Sequence, residues 1–261
     1  MRNTSPKRTN FRHRIRQTST NNFSRIILAL DLHGSTPARL LRMGSSLIER
    51  TSPYLCAVKI GRPTILNIGM DRTQKLIRSA RKADLPTIID DKLGDIDEVN
   101  SAICGAYFNI GFDGIIVNPL AGWKGGLEPV FNIAKKEGKG VIVLVYMSNP
   151  GASAGFGQLV VKTSHGKPRP QYEIFAQRAD EWGADGAVVG ATRPEIVRQV
   201  RSTLTNGIDI YSPGVGTQGG KILQASKAGS DFLIVGRSIT TARDPERAAH
   251  DLARKSTITP S

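Results

Sequence analysis

The chain has 261 residues, 36 of them Lys or Arg against 22 Asp or Glu, for a net charge of +14; 39% are hydrophobic and 22% charged. That balance describes a water-soluble globular protein, long enough for one α/β barrel or two smaller domains, and no apolar run approaches the roughly 20 residues of a membrane span. Two cysteines, Cys56 and Cys104, argue against a disulfide framework or a thiolate metal site, and His13, His33, His165 and His250 lack ligand spacing. A reducing, cytoplasmic setting is expected.

Residues 1–24, MRNTSPKRTNFRHRIRQTSTNNFS, hold Arg2, Lys7, Arg8, Arg12, Arg14 and Arg16 and no acid. Polar, basic and poor in large apolar residues, the segment is expected to be a disordered, solvated extension whose removal leaves the rest intact. Binding of a polyanion such as nucleic acid and an organelle transit role are the alternatives.

From residue 25 a single rhythm repeats. Short β-branched runs occur at RIILALDL (25–32), YLCAVKIG (54–61), PTIIDDK (86–92), DGIIVNP (113–119), GVIVLVYMS (140–148), DGAVVGA (185–191), GIDIYSPG (207–214) and DFLIVGRS (231–238). Near-continuous apolar runs, rather than alternating ones, are the mark of parallel strands covered on both faces. Helical patterns fill the intervals. Thr192-Arg193-Pro194-Glu195 reads as a capping box, and Asp244-Pro245-Glu246 as a cap with proline at the first helical position. Eight strand–helix units predict a (β/α)8 barrel over residues 25–253, followed by a C-terminal tail, 254–261. A doubly wound sheet needs a glycine-rich first turn, and ALDLHGS is not one. The connection 148–172 is long enough to expect a functional lid.

Barrel enzymes take their chemistry from the C-terminal ends of strands. Those ends carry Asp31, Lys59, Asp90 and Lys92, Asn118, Ser148, Gln218 and Arg237. Strand alternation puts Asp90 and Lys92 on one side and Asp91 on the other, as a satisfied structural acid. Asp95 reads equally as part of the site or as a helix N-cap, with Glu98 completing a capping box. Near the end of the chain, SPGVGTQGG (212–220) supplies Gly216 and Gln218, and VGRS (235–238) supplies Gly236 and Arg237. Glycines that admit an anion to the backbone, with a fixed guanidinium, predict a phosphate site after strands seven and eight.

Asp90-x-Lys92-x-x-Asp95, together with LALDL, VKIG, MSNPGA, PGVGTQGG and VGRS in that order, resembles the orotidine 5′-monophosphate decarboxylase family across residues 25–250. The resemblance implies a charged array of Lys59, Asp90, Lys92 and Asp95, with Asp95 donated across a homodimer interface. Lys92 protonates C6 of the pyrimidine as carbon dioxide leaves, with neither cofactor nor metal. Asp31 and Lys59 address the ribose. Ile96, Ser148, Pro150 and Gln218 join the substrate-binding set, and Gln218 accompanies Arg237 at the phosphate. Family members commonly carry threonine where this chain has Val99, which affects one ribose contact. The rivals are a Mg-dependent sugar-phosphate decarboxylase or lyase of the same superfamily and a non-catalytic phosphate-ligand or nucleic-acid-binding barrel. Lys59 stands where the metal-dependent relatives typically use glutamate, and the intact charge array argues against a pure binder. Schiff-base chemistry is disfavoured because the flanking acids keep the amines protonated.

Overall fold

A computed structural model describes residues 11–161, 166–205, 207–216 and 220–257. Each β-branched run becomes a parallel strand: β1 Ile26–Leu30, β2 Ala57–Gly61, β3 Thr87–Leu93, β4 Gly114–Val117, β5 Gly140–Tyr146, β6 Gly186–Val189, β7 Asp209–Pro213 and β8 Phe232–Val235. They pair in sequence order, and β8 closes on β1. The helices are α1 Phe11–Asn21, α2 Pro37–Thr51, α3 Arg62–Ile68, α4 Met70–Lys82, α5 Asp97–Asn109, α6 Glu128–Glu137, α7 Ala152–Phe156, α8 Gln171–Glu181, α9 Pro194–Thr203, α10 Ile222–Ala228, α11 Arg237–Thr240 and α12 Pro245–Thr257. Among the described residues, no helix is long and apolar enough to cross a membrane.

The two-residue strand period makes two cores. Ile26, Leu28 and Leu30 face outward to the helices with Val58 and Ile60. Ile27 and Ala29 face inward, where Ala57, Ile88, Ile116, Ile142, Leu144, Val188, Tyr211 and Ile234 fill the barrel.

The expected disordered extension is corrected over residues 11–24. Phe11 and Ile15 of α1 are fully buried and belong to the inner core, with the Phe11 ring packed beneath Gly114 and Gly140. Arg14 Nη1 lies 2.6 Å from Asp113 Oδ1, and Arg16 Nη2 lies 2.5 Å from Asp209 Oδ1. Asp113 immediately precedes β4 and Asp209 opens β7, so α1 plugs the N-terminal end of the barrel. The arginines read as a solvated charge run are in part the partners of acids that are otherwise buried. Residues 1–10, with Arg2, Lys7 and Arg8, lie outside the described residues.

At the other terminus α12 runs on to Thr257, and the buried Ser256 hydroxyl accepts from Arg25 N at 3.1 Å. The barrel domain therefore extends past the expected boundary at 253, while 258–261 lie outside the described residues. The cap at Asp244 forms, its carboxylate accepting from Arg247 N at 3.3 Å. The capping box at Thr192 does not. Arg193 occupies the cap position without a side-chain cap bond, and Thr192 Oγ1 instead donates to the Ser148 carbonyl at 3.1 Å. In the long connection, α7 is followed by two short arms, Leu159–Val160 and Arg169–Pro170, paired antiparallel. Residues 162–165 of it are outside the described set.

Candidate active site

Parallel register brings the charged strand ends together. Ala29 of β1 pairs with Lys59 of β2, and Gly61 of β2 with Asp90 of β3. Lys59 Nζ then lies 2.8 Å from Asp90 Oδ2 and 3.4 Å from Asp31 Oδ1, while Lys92 Nζ lies 2.6 Å from Asp90 Oδ1. The order Asp31–Lys59–Asp90–Lys92 alternates in sign. Gly61 is required for it, because a Cβ there would meet Asp31 Oδ1 at 1.7 Å.

Burial alone would raise the Asp90 carboxyl and lower the Lys59 ammonium. The neighbouring charges win. Lys59 and Lys92 pull Asp90 down to about 2, and Asp90 and Asp31 push Lys59 above the ordinary lysine range. Both groups are held charged in a place that would neutralise either alone.

Asp90 and Lys92 share one side and Asp91 faces the other, as alternation predicts, but the strand between them is not regular. Pairing to β4 jumps from Ile89↔Ile115 to Leu93↔Val117, so four steps along β3 match two along β4. Lys92 sits at φ 55, a left-handed conformation that costs a side-chain-bearing residue about 1–2 kcal/mol. Asp91 is buried and receives Arg62 Nε at 2.9 Å.

These side chains form one wall of a cavity of about 550 Å³, a volume typical of small-molecule sites. Its floor is the apolar interior at Ile116, Leu144, Val188 and Ile234. Ser148, Gly236 and Arg237 line it as expected, with Gly214 and Val215 beside them. Gly216 follows at φ 85, against the Ser238 hydroxyl. Gln218 lies outside the described residues. Arg237 opens the short helix α11, and this exposed cation lines the same cavity as the charged wall.

Other expected residues stand elsewhere in the single chain. Asp95, Ile96 and Pro150 are exposed and do not line the cavity. Asp95 is not a helix cap: α5 begins at Asp97, with Ile96 in the cap position and no side-chain cap. The turn is organised by Asn100, which accepts from Asp95 N at 3.0 Å and donates to the Asp95 and Gly126 carbonyls. Asn118 holds its own turn by accepting from Leu120 N at 3.1 Å. Sequence reasoning missed His33, Met147 and Thr240, which also line the cavity. His33 follows β1 and Thr240 lies one helical turn beyond Arg237, so strand-end position and helical spacing were the available signals. Among the described residues, no three His, Cys, Asp or Glu side chains are grouped to hold a metal ion.

The Orotidine 5′-phosphate decarboxylase / HUMPS family matches residues 24–252. The orotidine 5′-phosphate decarboxylase of Methanosarcina mazei is 37% identical over 230 residues, covering 88% of this chain and 94% of its own. That of Thermococcus kodakarensis is 36% identical, with 88% and 95% covered. Among solved structures, Leishmania donovani UMP synthase superposes with a TM-score of 0.84 at 28% identity, over 95% of this chain and 56% of that longer one. The OMP decarboxylase of the same organism gives 0.82 at 26% identity, over 95% and 97%. The Methanocaldococcus jannaschii orotidine 5′-monophosphate decarboxylase complexed with inhibitor BMP gives 0.74 at 26% identity, over 89% of this chain and 98% of that one. With the barrel matched from end to end, and the charged array standing at its strand ends, the chain belongs to the orotidine 5′-phosphate decarboxylase / HUMPS family.

Proposed function

We propose that this chain decarboxylates orotidine 5′-monophosphate to uridine 5′-monophosphate in pyrimidine biosynthesis, without a cofactor. The observation that carries the reading is the alternating array Asp31–Lys59–Asp90–Lys92 set against an apolar floor. As the C6 carboxylate leaves as carbon dioxide, its bonding electron pair stays on C6, and Lys92 Nζ transfers a proton to that carbon. The neutral amine recovers its proton from solvent. An ammonium already bonded to Asp90 needs no reorganisation when the carbanion forms, which is preorganised electrostatic stabilisation.

Asp90 also faces the substrate carboxylate. At an effective dielectric near 20, two charges ~4 Å apart repel by about 4 kcal/mol, or roughly a thousandfold in rate if wholly relieved. That is too small for a very slow uncatalysed reaction, so the larger share falls to Lys92. Asp31 and Lys59 hold the ribose, Ser148 meets the pyrimidine edge with Ile96 and Pro150 completing the substrate set, and Gly216, Gln218, Gly236 and Arg237 take the phosphate.

The site is completed in a homodimer, with Asp95 reaching the neighbouring subunit's Lys92. Support comes from the exposed run around Asp95, where Ile96 and Val99 leave apolar surface uncovered by their own chain. A cytoplasmic setting suits the two buried free cysteines. The expectation of polyanion binding now falls on Arg2, Lys7 and Arg8.

The decisive experiment follows the absorbance loss of orotidine 5′-monophosphate with purified protein and excess chelator. Turnover is expected. Activity that disappears with chelator and returns with Mg²⁺ would move the assignment to the sugar-phosphate lyase branch.

A further inference from the structure

We infer that Arg62 and Asp91 are positioning residues for Lys92, holding the peptide bond that aims its ammonium into the cavity. The inference rests on the decarboxylase reading of the same site.

A buried carboxylate on the outer face of a barrel strand has a desolvation cost and no evident use there; an apolar side chain would serve the packing. Asp91 is buried nonetheless, and it has three engagements. Arg62 Nε donates to Asp91 Oδ1 at 2.9 Å, the same guanidinium donates through Nη2 to the Asp91 backbone carbonyl, and the carboxylate couples electrostatically to the Tyr107 hydroxyl of α5. The Tyr107 ring is itself fixed edge-on against Phe112, with centroids 5.9 Å apart.

The carbonyl contact is the informative one. That oxygen belongs to the peptide joining residue 91 to Lys92, the residue at φ 55. Pairing with β4 is interrupted between Ile89 and Leu93, so the sheet ladder does not hold this peptide in place. Arg62 does so instead, from the first position of α3, directly after β2. One planar fork grips both the side chain and the backbone of Asp91, a geometry the compact ammonium of lysine does not reproduce.

The arrangement is two-sided. Inside the barrel, Lys59 of β2 bonds Asp90 of β3; outside, Arg62 bonds Asp91, three residues and one residue further along the same two segments. The inner pair sets the charges and the outer pair sets the backbone between them. Among the described residues the Lys92 ammonium bonds Asp90, so the direction of its stem depends on that peptide.

The test compares full-length Arg62→Ala, Arg62→Lys and Asp91→Asn with the unsubstituted chain, measuring kcat and KM for orotidine 5′-monophosphate. Arg62→Ala is expected to lower kcat about 10- to 100-fold, the scale of a misplacement of about 1 Å, with KM within about twofold because the phosphate and ribose contacts are untouched. Arg62→Lys restores the charge opposite Asp91 but not the fork, so its kcat should stay close to that of Arg62→Ala. A purely structural ion pair predicts the opposite, recovery by lysine. Unchanged kcat in Arg62→Ala, a rise in KM that accounts for the whole loss, or full recovery in Arg62→Lys would overturn the positioning role. If Arg62→Ala does not fold, Asp91→Asn, which keeps the side-chain volume, must show the same fall in kcat at constant KM, and an unchanged kcat there overturns the role equally. Absence of turnover by the unsubstituted chain would instead overturn the decarboxylase reading, and the inference with it.

Discussion

Lys59 and Asp90 meet at 2.8 Å on adjacent strands, Lys59 buried and Asp90 partly buried, and each holds the other in its charged form. Removing one partner leaves the other charge in a low-dielectric wall. Asp90→Asn should therefore destabilise the fold by up to about 3–5 kcal/mol, less whatever Asp31 offsets from 3.4 Å, besides abolishing turnover. Urea unfolding at neutral pH measures it. A loss below about 1 kcal/mol would mean that solvent reaches the pair.

The same pair gives stability a definite pH dependence. The Asp90 carboxyl is pulled from 3.8 to about 2 on folding, so its contribution is present above about pH 4 and is lost as pH falls towards 2. That is about 2 kcal/mol in all, by the linkage between proton affinity and folding. Lys59 is raised, so its contribution is complete below its ordinary range and fades only in strong alkali. Acid unfolding of Asp90→Asn should lack the component between pH 4 and 2 that the unsubstituted chain shows.

Arg237→Ala should raise KM strongly and lower kcat/KM by more than kcat. The phosphate is remote from the bond that breaks, yet its binding energy helps to organise the site. Steady-state kinetics with an unchanged KM would show that the rim at Gly236 and Arg237 does not hold the phosphate.

The plug changes what truncation should do. As a solvated extension, residues 1–24 would be dispensable; with Phe11 and Ile15 in the inner core, they are not. Phe11→Ala should cost about 3–5 kcal/mol, and deletion of residues 1–24 should lower the melting temperature or prevent folding. Deletion of residues 1–10 alone should leave thermal stability near its starting value. A full-deletion variant melting within a degree or two of the intact chain would sink the plug's structural role.

Subunit exchange tests the shared site. Lys92→Ala and Asp95→Ala homodimers should each be badly impaired. Mixed and allowed to exchange, they form heterodimers in which one site collects both defects and the other has neither. Turnover should recover towards roughly a quarter of the unsubstituted activity for random mixing of equal amounts. Exchange verified by mass spectrometry, with no recovered turnover, would place the Asp95 defect within its own chain.

The strands were legible because parallel strands covered on both faces must be apolar throughout, and eight such runs in order leave little choice of architecture. Alternation placed Asp90, Asp91 and Lys92 on their proper sides without any structure. It could not reveal the bulge, since no glycine or asparagine marks the left-handed residue; the position is filled by Lys92 itself. The plug escaped for a related reason. Two apolar residues four apart, Phe11 and Ile15, disappear in a composition dominated by arginine, and the acids that explain the arginines lie about 100 and 190 residues away. At Asp95, the local pattern fitted a cap, but Asn100 had already taken over the turn.

The contact between Arg16 and Asp209 spans 193 residues of sequence. Ribosomes extend chains at about 5–20 residues per second, so roughly ten to forty seconds separate the synthesis of α1 from that of its partner. An isolated helix of 11 residues is marginal in water. During that interval the segment is a basic chain with an unsheltered phenylalanine, and it can seat only when most of the barrel has been made. Closure of the barrel floor is therefore among the last events of biogenesis although its material is among the first to emerge, and a nascent chain that stalls before β7 presents that segment to chaperones and proteases.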